Sequence, residues 1–433
     1  MSLLETLLKE LKEVCRTFPD TREGRSGNIA VEDFGLSAFS MFFMQSESFL
    51  SFQRVLETGQ KRSNCQTLFG IGKIPCDNYI RTTLDMADPA LLQPCFDRLA
   101  GLAGKPAMRK AFQRLGGRML IAWDGTEYFN SYKIGCDNCL TRKRSNGKTE
   151  NYHTMLSATV VAPGHSKVVP LMPEFIAKQD GHEKQDCERA AVKRWFEKHA
   201  SRVKSLRPVY LGDDLFACHP IARMVTENGD DFIFTCKETS HKTLMDFIDG
   251  ATCEVREDKI RKGRVTETFR YKWIEGVPLR DGKDAIEVNW IGFQILDAKG
   301  NIKYKMAWVT SLPVTSDTVA EIAACGRARW KIENESFNVM KNHGYELEHN
   351  FGHGKKFLAM TLAAFNLLAF AWHSILDCLD PAWQAAREAA GKRTRFFSTI
   401  VSLTSFVVFP SWPVLLTSLA TFEIPPNLLQ NRK

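Results

Sequence analysis

The spacing of apolar residues divides the chain into a helical beginning, a middle of strands and helices, and a helical end. Up to about residue 105, apolar positions recur at helical spacing, as in SAFSMFFMQSESFLSFQRVL, which predicts packed helices. In the same region, IPCDNYIRTTLD predicts a short helix. This helix either belongs to a helix-turn-helix unit that binds DNA or is one more helix of the bundle. We expect residues 1–105 to form a helical N-terminal domain.

Residues 106–237 alternate between strand and helix patterns. Short apolar or β-branched runs predict strands, and longer amphipathic runs between them predict helices. The predicted order is strand 119–124, strand 155–161, strand 168–175, helix 183–203, strand 208–212, helix 219–227 and strand 231–236. Because right-handed helical crossovers make successive strands parallel, we expect the first and fourth strands to lie side by side. This segment is the predicted first part of an α/β core.

The pattern changes twice more towards the C-terminus. Over 238–316 the segments VTETFRYKW, IEVNWIGFQIL and IKYKMAWVTSL alternate between apolar and polar residues, which predicts a β-rich insertion. Helical spacing returns over 317–385, the predicted second part of the core, where 318–342 is expected to form one long helix. A helical segment, 386–433, follows, and its apolar stretch RFFSTIVSLTSFVVF is a candidate dimerisation surface. The predicted fold class is α/β, a mixed-sheet core with helices at both ends.

One apolar run, residues 357–376, approaches the ~20 residues that a membrane-spanning helix needs. Asn366 and His373 interrupt this run, and Lys355 and Lys356 precede it. The mean hydropathy of the chain is −0.24. These features favour a buried core helix over a membrane protein built around this run, so we expect no association with a membrane.

The net charge of the chain and the clustering of its cations indicate what kind of molecule it binds. The 433 residues carry 58 Lys and Arg against 50 Asp and Glu, a net charge of +8. The cations cluster at two places: Arg142, Lys143, Arg144 and Lys148, and then Lys259, Arg261, Lys262 and Arg264. Clustered cations suit a polyanion such as DNA, because each neutralised phosphate releases counterions; the alternative is a pair of solvated loops. The N-terminus MSLLETLLKELKEVC lacks the pattern of a secretory signal, so we expect a cytoplasmic protein whose 12 cysteines are mostly reduced.

Three acidic residues stand where an α/β fold commonly places metal ligands. Asp124 ends the run MLIAWD, Asp213 ends RPVYLGD, and Glu333 lies in the helical run GRARWKIENESFNVMK. Such positions are far apart in sequence but can meet at one edge of a sheet. Hard divalent cations prefer oxygen ligands, so the trio predicts a site for two Mg²⁺ ions, which Mn²⁺ can replace.

Three segments, WDGTEYF, YLGDDLF and RARWKIENESFNVMK, together resemble the DDE transposases of bacterial insertion sequences. The resemblance covers about residues 118–345 and is to the branch in which a β-strand subdomain interrupts a ribonuclease H-like core before the catalytic Glu. It implies that the three acids are catalytic metal ligands and that Arg329 and Lys341 contact phosphates near the scissile bond. It also implies double-stranded DNA partners, namely terminal inverted repeats and target DNA, a homodimer on that DNA, and a location at the bacterial nucleoid.

The chain departs from the family pattern at two positions. The family has a Tyr three residues before the Arg, where this chain has Gly326. The family has a Lys seven residues after the Glu, whereas Lys341 is eight residues after Glu333. This shift leaves Glu335, six residues before Lys341, as an alternative ligand.

Two choices among neighbouring acids follow. Glu333 is preferred because it shares a helix face with Trp330 and Phe337, the side expected to pack against the sheet. Asp213 is preferred to Asp214 because the acid in the family pattern lies three residues before an aromatic, as it does here.

Cysteine and histidine spacing predicts a second, structural metal site. Cys136 and Cys139 follow the first acidic strand, and His182 and Cys187 follow the third strand. Two such pairs can complete a tetrahedral Zn²⁺ site that ties the basic loop to the core, the alternative being buried free thiols. Other candidate ligands are His153, His165, Cys218 and His219. In the glycine-rich segment HGYELEHNFGHGKK, a loop near the DNA is expected rather than a metal cluster for His343, His349 and His353.

The predicted function is that of a magnesium-dependent DNA transposase. It would bind the terminal inverted repeats of its element, cut the DNA there, and join the 3′ ends to target DNA by two-metal phosphoryl transfer. Two alternatives use the same fold. A stand-alone structure-specific nuclease would cut without joining strands, and an inactive DNA-binding repressor would bind without cutting.

Overall fold

A computed structural model of the chain describes residues 1–20, 22, 28–46, 48–49, 63–178, 187–263 and 265–429. Within these residues, eleven strands form one mixed sheet, and helical regions flank it at both ends of the chain. The predicted α/β class is confirmed.

The strands belong to two groups that share this sheet. Their bounds are β1 Met119–Ser131, β2 Leu140–Lys143, β3 Thr149–Val161, β4 Val169–Pro170, β5 Glu174–Ile176, β6 Pro208–Gly212, β7 Asp231–Thr235, β8 Glu254–Lys262, β9 Val265–Pro278, β10 Glu287–Leu296 and β11 Ile302–Thr310. The spatial order is β2-β3-β1-β6-β7-β11-β10-β9-β8, and the short strands β4 and β5 pair with β3.

The helices precede, link and follow the strands. Those before the sheet are α1 Leu3–Cys15, α2 Val31–Phe43, α3 Asn64–Phe69, α4 Asp77–Leu84, α5 Gln93–Ala103 and α6 Pro106–Phe112. Those between strands are α7 Glu188–Val203, α8 His219–Glu227 and α9 Lys242–Asp249. Those after the sheet are α10 Val319–Arg327, α11 Asn338–Asn342, α12 Leu358–Leu379, α13 Pro381–Ala390, α14 Arg393–Phe406, α15 Trp412–Thr421 and α16 Pro426–Leu429.

Strand β1 is the centre of the core group. It pairs antiparallel with β3 and parallel with β6, and β6 pairs parallel with β7. The predicted side-by-side placement of the first and fourth strands is therefore confirmed. The apolar run that begins β1 is fully buried, as expected for a parallel strand covered on both faces, and Trp123 stacks on Tyr210 of β6 at 4.3 Å between ring centroids.

The predicted β-rich insertion is an antiparallel meander of β8, β9, β10 and β11. Strand β11 also pairs with β7, so the insertion extends the core sheet instead of forming a separate sheet. The alternation in its sequence places Trp273, Trp290 and Trp308 in the core, where each is at most 9% exposed. The insertion and the core strands therefore share one sheet, through the pairing of β11 with β7.

Helices from the two ends of the chain pack together beside the sheet. Helix α12 is apolar enough and long enough to span a membrane, but 94% of its most apolar window is buried inside the protein, which confirms the predicted core helix. Its Trp372 packs on Phe39 of α2 at 4.5 Å between ring centroids. Asp85, which follows α4, accepts backbone hydrogen bonds from Lys355 and Leu358 at the start of α12. The short helix predicted from IPCDNYIRTTLD, α4, thus packs within this bundle.

The stretch predicted as one long helix, 318–342, is helical but irregular. Helix α10 is followed by a 3₁₀ turn, Ala328–Trp330, and a π-helical segment, Ile332–Phe337, before α11. A π turn closes i→i+5 hydrogen bonds and accommodates more residues than an α turn. The predicted long helix is therefore present as one continuous helical stretch, but it is not a regular α-helix in the part that carries the acidic residues.

Candidate functional site

Two of the predicted acids meet at one edge of the sheet. Ala122 of β1 pairs with Leu211 of β6, so two residues further along the parallel strands Asp124 is level with Asp213. Asp213 directly follows β6, and its Oδ1 accepts the backbone N–H of Leu215 at 2.9 Å. Strand β6 ends just before Asp213, whereas β1 continues past Asp124 to Ser131, so the predicted strand end at Asp124 is wrong. The two acids are level because β1 and β6 pair in parallel register.

Arg329 brings the third acid to the same place. Its Nη1 lies 3.2 Å from Oδ2 of Asp124, and its Nη2 lies 2.6 Å from Oε1 of Glu333. The guanidinium is only 17% exposed, and its planar fork can bind two carboxylates at once. The structure therefore brings together Asp124, Asp213 and Glu333, which lie more than 200 residues apart at the extremes.

The electrostatics of the site reflect an excess of negative charge. Burial raises the pKa of Asp124 to about 7; Arg329 opposes this rise, whereas Glu333, Asp213 and Glu188 add to it. Burial lowers the pKa of Arg329, but its bonds to Glu333 and its attraction to Asp124 outweigh that effect and raise its pKa overall. One guanidinium thus lies among three carboxyl groups, and a fourth, that of Glu188, is beside Asp124.

Glu188 is a site residue that the sequence did not indicate. It is the first residue of α7, and its carboxylate lies against the backbone next to Asp124: a Cβ at Gly125 would be 2.1 Å from Oε1 of Glu188. Burial, followed by the charge of Asp213, raises the pKa of Glu188. An acid in the first turn of a helix is ordinary because of the helix dipole, so its position carried no functional signal.

The structure distinguishes Asp213 from Asp214. Oδ1 of Asp214 accepts the backbone N–H of Lys237 at 2.6 Å and lies 3.3 Å from Nε2 of His241. These contacts hold the segment after β7, and it is Asp213 that interacts with Asp124. The geometry favours Asp213 as the ligand.

Glu333 remains the better candidate ligand than Glu335, but not because it shares a buried helix face with Trp330 and Phe337, as the sequence predicted. Trp330 is 61% exposed while Phe337 is buried, so the two aromatics do not share a buried side. The 3₁₀ and π turns change the rotation per residue, and a face drawn for a regular helix is therefore wrong here. Instead, Glu333 is favoured because it shares Arg329 with Asp124.

A π-helical segment separates Glu333 from Lys341. The two residues are eight positions apart, and most of that segment lies between them. Whether Lys341 has the role that the resemblance implies stays a prediction. Nζ of Lys341 lies 2.6 Å from Oε1 of Glu348.

The glycine at the position where the family has Tyr has a packing reason. A Cβ at Gly326 would lie 2.7 Å from the indole of Trp308, which is 1% exposed in β11. The indole occupies the space beside the helix, so no larger side chain fits at residue 326.

Comparison with protein-family models and with curated proteins gives no match. The arrangement of the side chains therefore carries the functional interpretation.

A wide cleft opens from the acidic site. Its volume is about 900 Å³, and Asp213 is part of its lining. Four cationic side chains also line it: Arg189, Lys237, Lys242 and Arg280. Asp214 and Asp281 line it as well, and Arg280 is paired with Asp284 at 2.6 Å, so the cleft carries charges of both signs.

The basic loop predicted to bind DNA is the hairpin of β2 and β3. Arg142 and Arg144 bind Glu150 at 2.6 Å each, which neutralises part of their charge. Lys143 and Lys148 are exposed at the tip. Their role in binding DNA stays a prediction.

The CxxC pair has different partners from those expected. His182 lies outside the described residues, and Cys187 is exposed at the N-cap of α7. Among the described residues, Cys136, Cys139, His153 and His353 have ligand atoms that all lie within 4.8 Å of one another. His153 was one alternative on sequence grounds, whereas His353 was assigned to a loop near DNA. No local pattern joins residues more than 200 positions apart.

Proposed function

We propose that this protein is a metal-dependent DNA transposase that cuts DNA at the ends of its element and joins the 3′ ends to target DNA. The observation that carries the proposal is the convergence of Asp124, Asp213 and Glu333 at one sheet edge, with Arg329 between two of them. Three carboxylates from distant segments form a hard-oxygen site of the kind that phosphoryl transfer uses.

The donor set fits divalent cations. Asp124, Asp213, Glu333 and the adjacent Glu188 supply only carboxylate oxygens, the ligands that Mg²⁺ and Mn²⁺ prefer. Burial and, to a smaller extent, the neighbouring carboxylates raise the pKa of Asp124, and bound cations would favour its ionised form. Two bound cations would supply activation of the attacking water or 3′-hydroxyl and stabilisation of the leaving oxygen.

Arg329 has two roles in this proposal. In the structure its guanidinium forms ion pairs with both Asp124 and Glu333. Once cations pair with these carboxylates, the same guanidinium is available for a phosphate oxygen of the DNA, which it can bind through two N–H groups.

The surroundings of the site support DNA as the substrate. Arg189, Lys237 and Lys242 line the cleft that contains Asp213, and Trp330, one residue after Arg329, is 61% exposed. An exposed indole can stack on a base, whereas the cations follow the backbone. The parallel pairing of β1 with β6, which puts Asp124 level with Asp213, is the strand neighbourhood that the sequence predicted and supports the proposal.

A DNA assay with matched variants tests the proposal. The substrate is a plasmid in which the DNA that flanks the gene on each side surrounds a marker, incubated with Mg²⁺ or Mn²⁺. Wild-type protein is expected to excise the marker and join it to a second plasmid. Asp124→Asn, Asp213→Asn and Glu333→Gln are each expected to lower the rate by at least about 10³-fold, because each removes a charged metal ligand.

Control variants separate the site from its neighbours. Glu335→Gln, two residues from Glu333, is expected to retain activity within a few-fold. Glu188→Gln is expected to lower the rate by about 10–100-fold, as for a group beside the metal ligands, while Glu197→Gln on the exposed side of the same helix changes nothing. Cleavage without joining would favour the nuclease, and binding without cleavage would favour the repressor. Full activity of Glu333→Gln would refute the assignment of that residue.

A further inference from the structure

The cysteine–histidine cluster lies away from the acidic site, where three separate segments meet. Cys136 and Cys139 are in the loop between β1 and β2, His153 is in β3, and His353 is in the loop before α12. Cys139, His153 and His353 are at most 8% exposed, and Cys136 is half-buried. Four soft ligands therefore point at one small volume inside the protein.

The distances between the ligand atoms match the edges of a tetrahedron around a metal ion. Sγ of Cys136 and Sγ of Cys139 are 3.8 Å apart, too far for a disulfide. Nε2 of His153 is 3.5 Å and 3.4 Å from these two sulfurs, and Nε2 of His353 is 3.5 Å from Sγ of Cys139. A tetrahedral ion with Zn–S bonds of about 2.3 Å and Zn–N bonds of about 2.0 Å would hold two sulfurs about 3.8 Å apart and a sulfur and a nitrogen about 3.5 Å apart.

We propose that Cys136, Cys139, His153 and His353 bind one structural Zn²⁺ ion. Two thiolates and two imidazoles are a ligand set that selects zinc, and four protein ligands leave no open position for chemistry. The backbone N–H of Cys136 donates to Sγ of Cys139 at 3.4 Å, a bond that stabilises a thiolate. The alternative, two buried free thiols, would not require the imidazole nitrogens of two histidines to lie beside the sulfur atoms.

The ion links the acidic site to the helical bundle. His153 pairs with Phe129, which lies in the strand that carries Asp124. His353 lies between α11, at the end of the Glu333 stretch, and the core helix α12. A second contact joins the same parts, since the side-chain amide of Asn138 donates to the carbonyl of Lys356 at 2.7 Å. The zinc ion would therefore hold the β1–β3 pair and the segment after Glu333 in one position.

Metal analysis of the full-length protein tests this inference without any activity measurement. Protein purified under reducing conditions is expected to contain about one zinc per chain. Cys139→Ser and His353→Ala are each expected to reduce this to below about 0.1 per chain, whereas the exposed, non-ligand Cys187→Ser retains it. Removal of zinc by a chelator is expected to lower the Tm by at least about 5 °C, because a ligand that binds only the folded state stabilises it.

Cobalt substitution keeps the inference testable if a variant does not fold. Co²⁺ added to the chelator-treated wild-type protein is expected to give the intense visible bands of tetrahedral thiolate coordination, with a one-to-one endpoint. His353→Cys, which preserves four soft ligands, is expected to bind Co²⁺ with shifted bands. Zinc content far below one per chain together with no cobalt spectrum would overturn the inference, as would unchanged zinc in both Cys139→Ser and His353→Ala. Neither result would test the acidic site, so the zinc proposal and the proposed DNA chemistry can be refuted independently of each other.

Discussion

At the scale of single residues, the chemistry of the site depends on how four carboxyl groups share one small region. The pKa of Asp124 is raised because this residue is largely buried and because Glu333, Asp213 and Glu188 lie around it. The close approach of Glu188 requires Gly125, where any side chain would collide with the carboxylate. This crowding of carboxyl groups lowers the stability of the metal-free protein, and in the proposed function the same groups would bind cations.

The pH dependence of the metal-free protein follows from Asp124. Its folded-state pKa of about 7 lies above the value of about 3.9 in an unfolded chain, so between these values the folded state holds a proton that the unfolded state has lost. This contribution to the free energy of unfolding is present below pH 4 and is lost as the pH rises towards 7. Asp124→Asn cannot ionise and should become more stable than wild type by on the order of 2 kcal/mol at pH 8.

Urea unfolding in the presence of a chelator, at pH 5 and at pH 8, measures this effect. Asp246→Asn on the exposed side of α9 serves as the control and should follow wild type at both values. Identical pH dependence of wild type and Asp124→Asn would contradict the explanation.

At the scale of elements, the irregular helix between β11 and α12 matters most. Its 3₁₀ and π turns place Arg329 and Glu333 at the sheet edge and leave Trp330 exposed. Periodicity read from the sequence assumes a constant rotation per residue, and this segment departs from it. The contact that fixes the helix against the sheet is between Gly326 and Trp308.

Gly326→Ala tests that contact. A Cβ there would lie 2.7 Å from the buried indole of Trp308, so we expect a loss of about 1–3 kcal/mol in the free energy of unfolding. Gly101→Ala is the matched control, because Gly101 is an exposed helical glycine with nothing within 4 Å of the added carbon. It should gain about 0.5–1 kcal/mol through helix propensity. A Gly326→Ala protein as stable as wild type in urea would show that the helix does not pack closely on β11.

At the scale of the whole molecule, the two ends of the chain fold against each other. Nδ2 of Asn64 donates to the carbonyls of Thr404 and Val407 at 2.8 Å each, and Oδ1 accepts the N–H of Phe409 at 3.0 Å. Asn64 is 1% exposed. One buried amide therefore ties α3 to the end of α14, and the apolar residues of the C-terminal segment pack largely within the chain.

Asn64→Ala should weaken this tie strongly. Three buried backbone groups lose their partner, so we expect the free energy of unfolding to fall by about 3–4 kcal/mol and protease sensitivity after α14 to rise. Asn342→Ala, at an exposed helix end, should change the stability by less than about 0.5 kcal/mol. Equal thermal unfolding of the two variants would show that the ends of the chain are energetically independent.

The sequence by itself determined the features that depend on local pattern. Apolar runs located the core strands and the buried helix α12, alternation located the insertion, and the acids that follow two apolar runs are Asp124 and Asp213, since burial periodicity is a property of neighbouring residues. Only the tertiary structure decided the rest. It placed Glu188 beside Asp124 and His353 beside the CxxC pair, and it distinguished Asp213 from Asp214 by their partners. These relations depend on strand register, helix irregularity and the direction of side chains from segments far apart in the chain, which no local periodicity encodes.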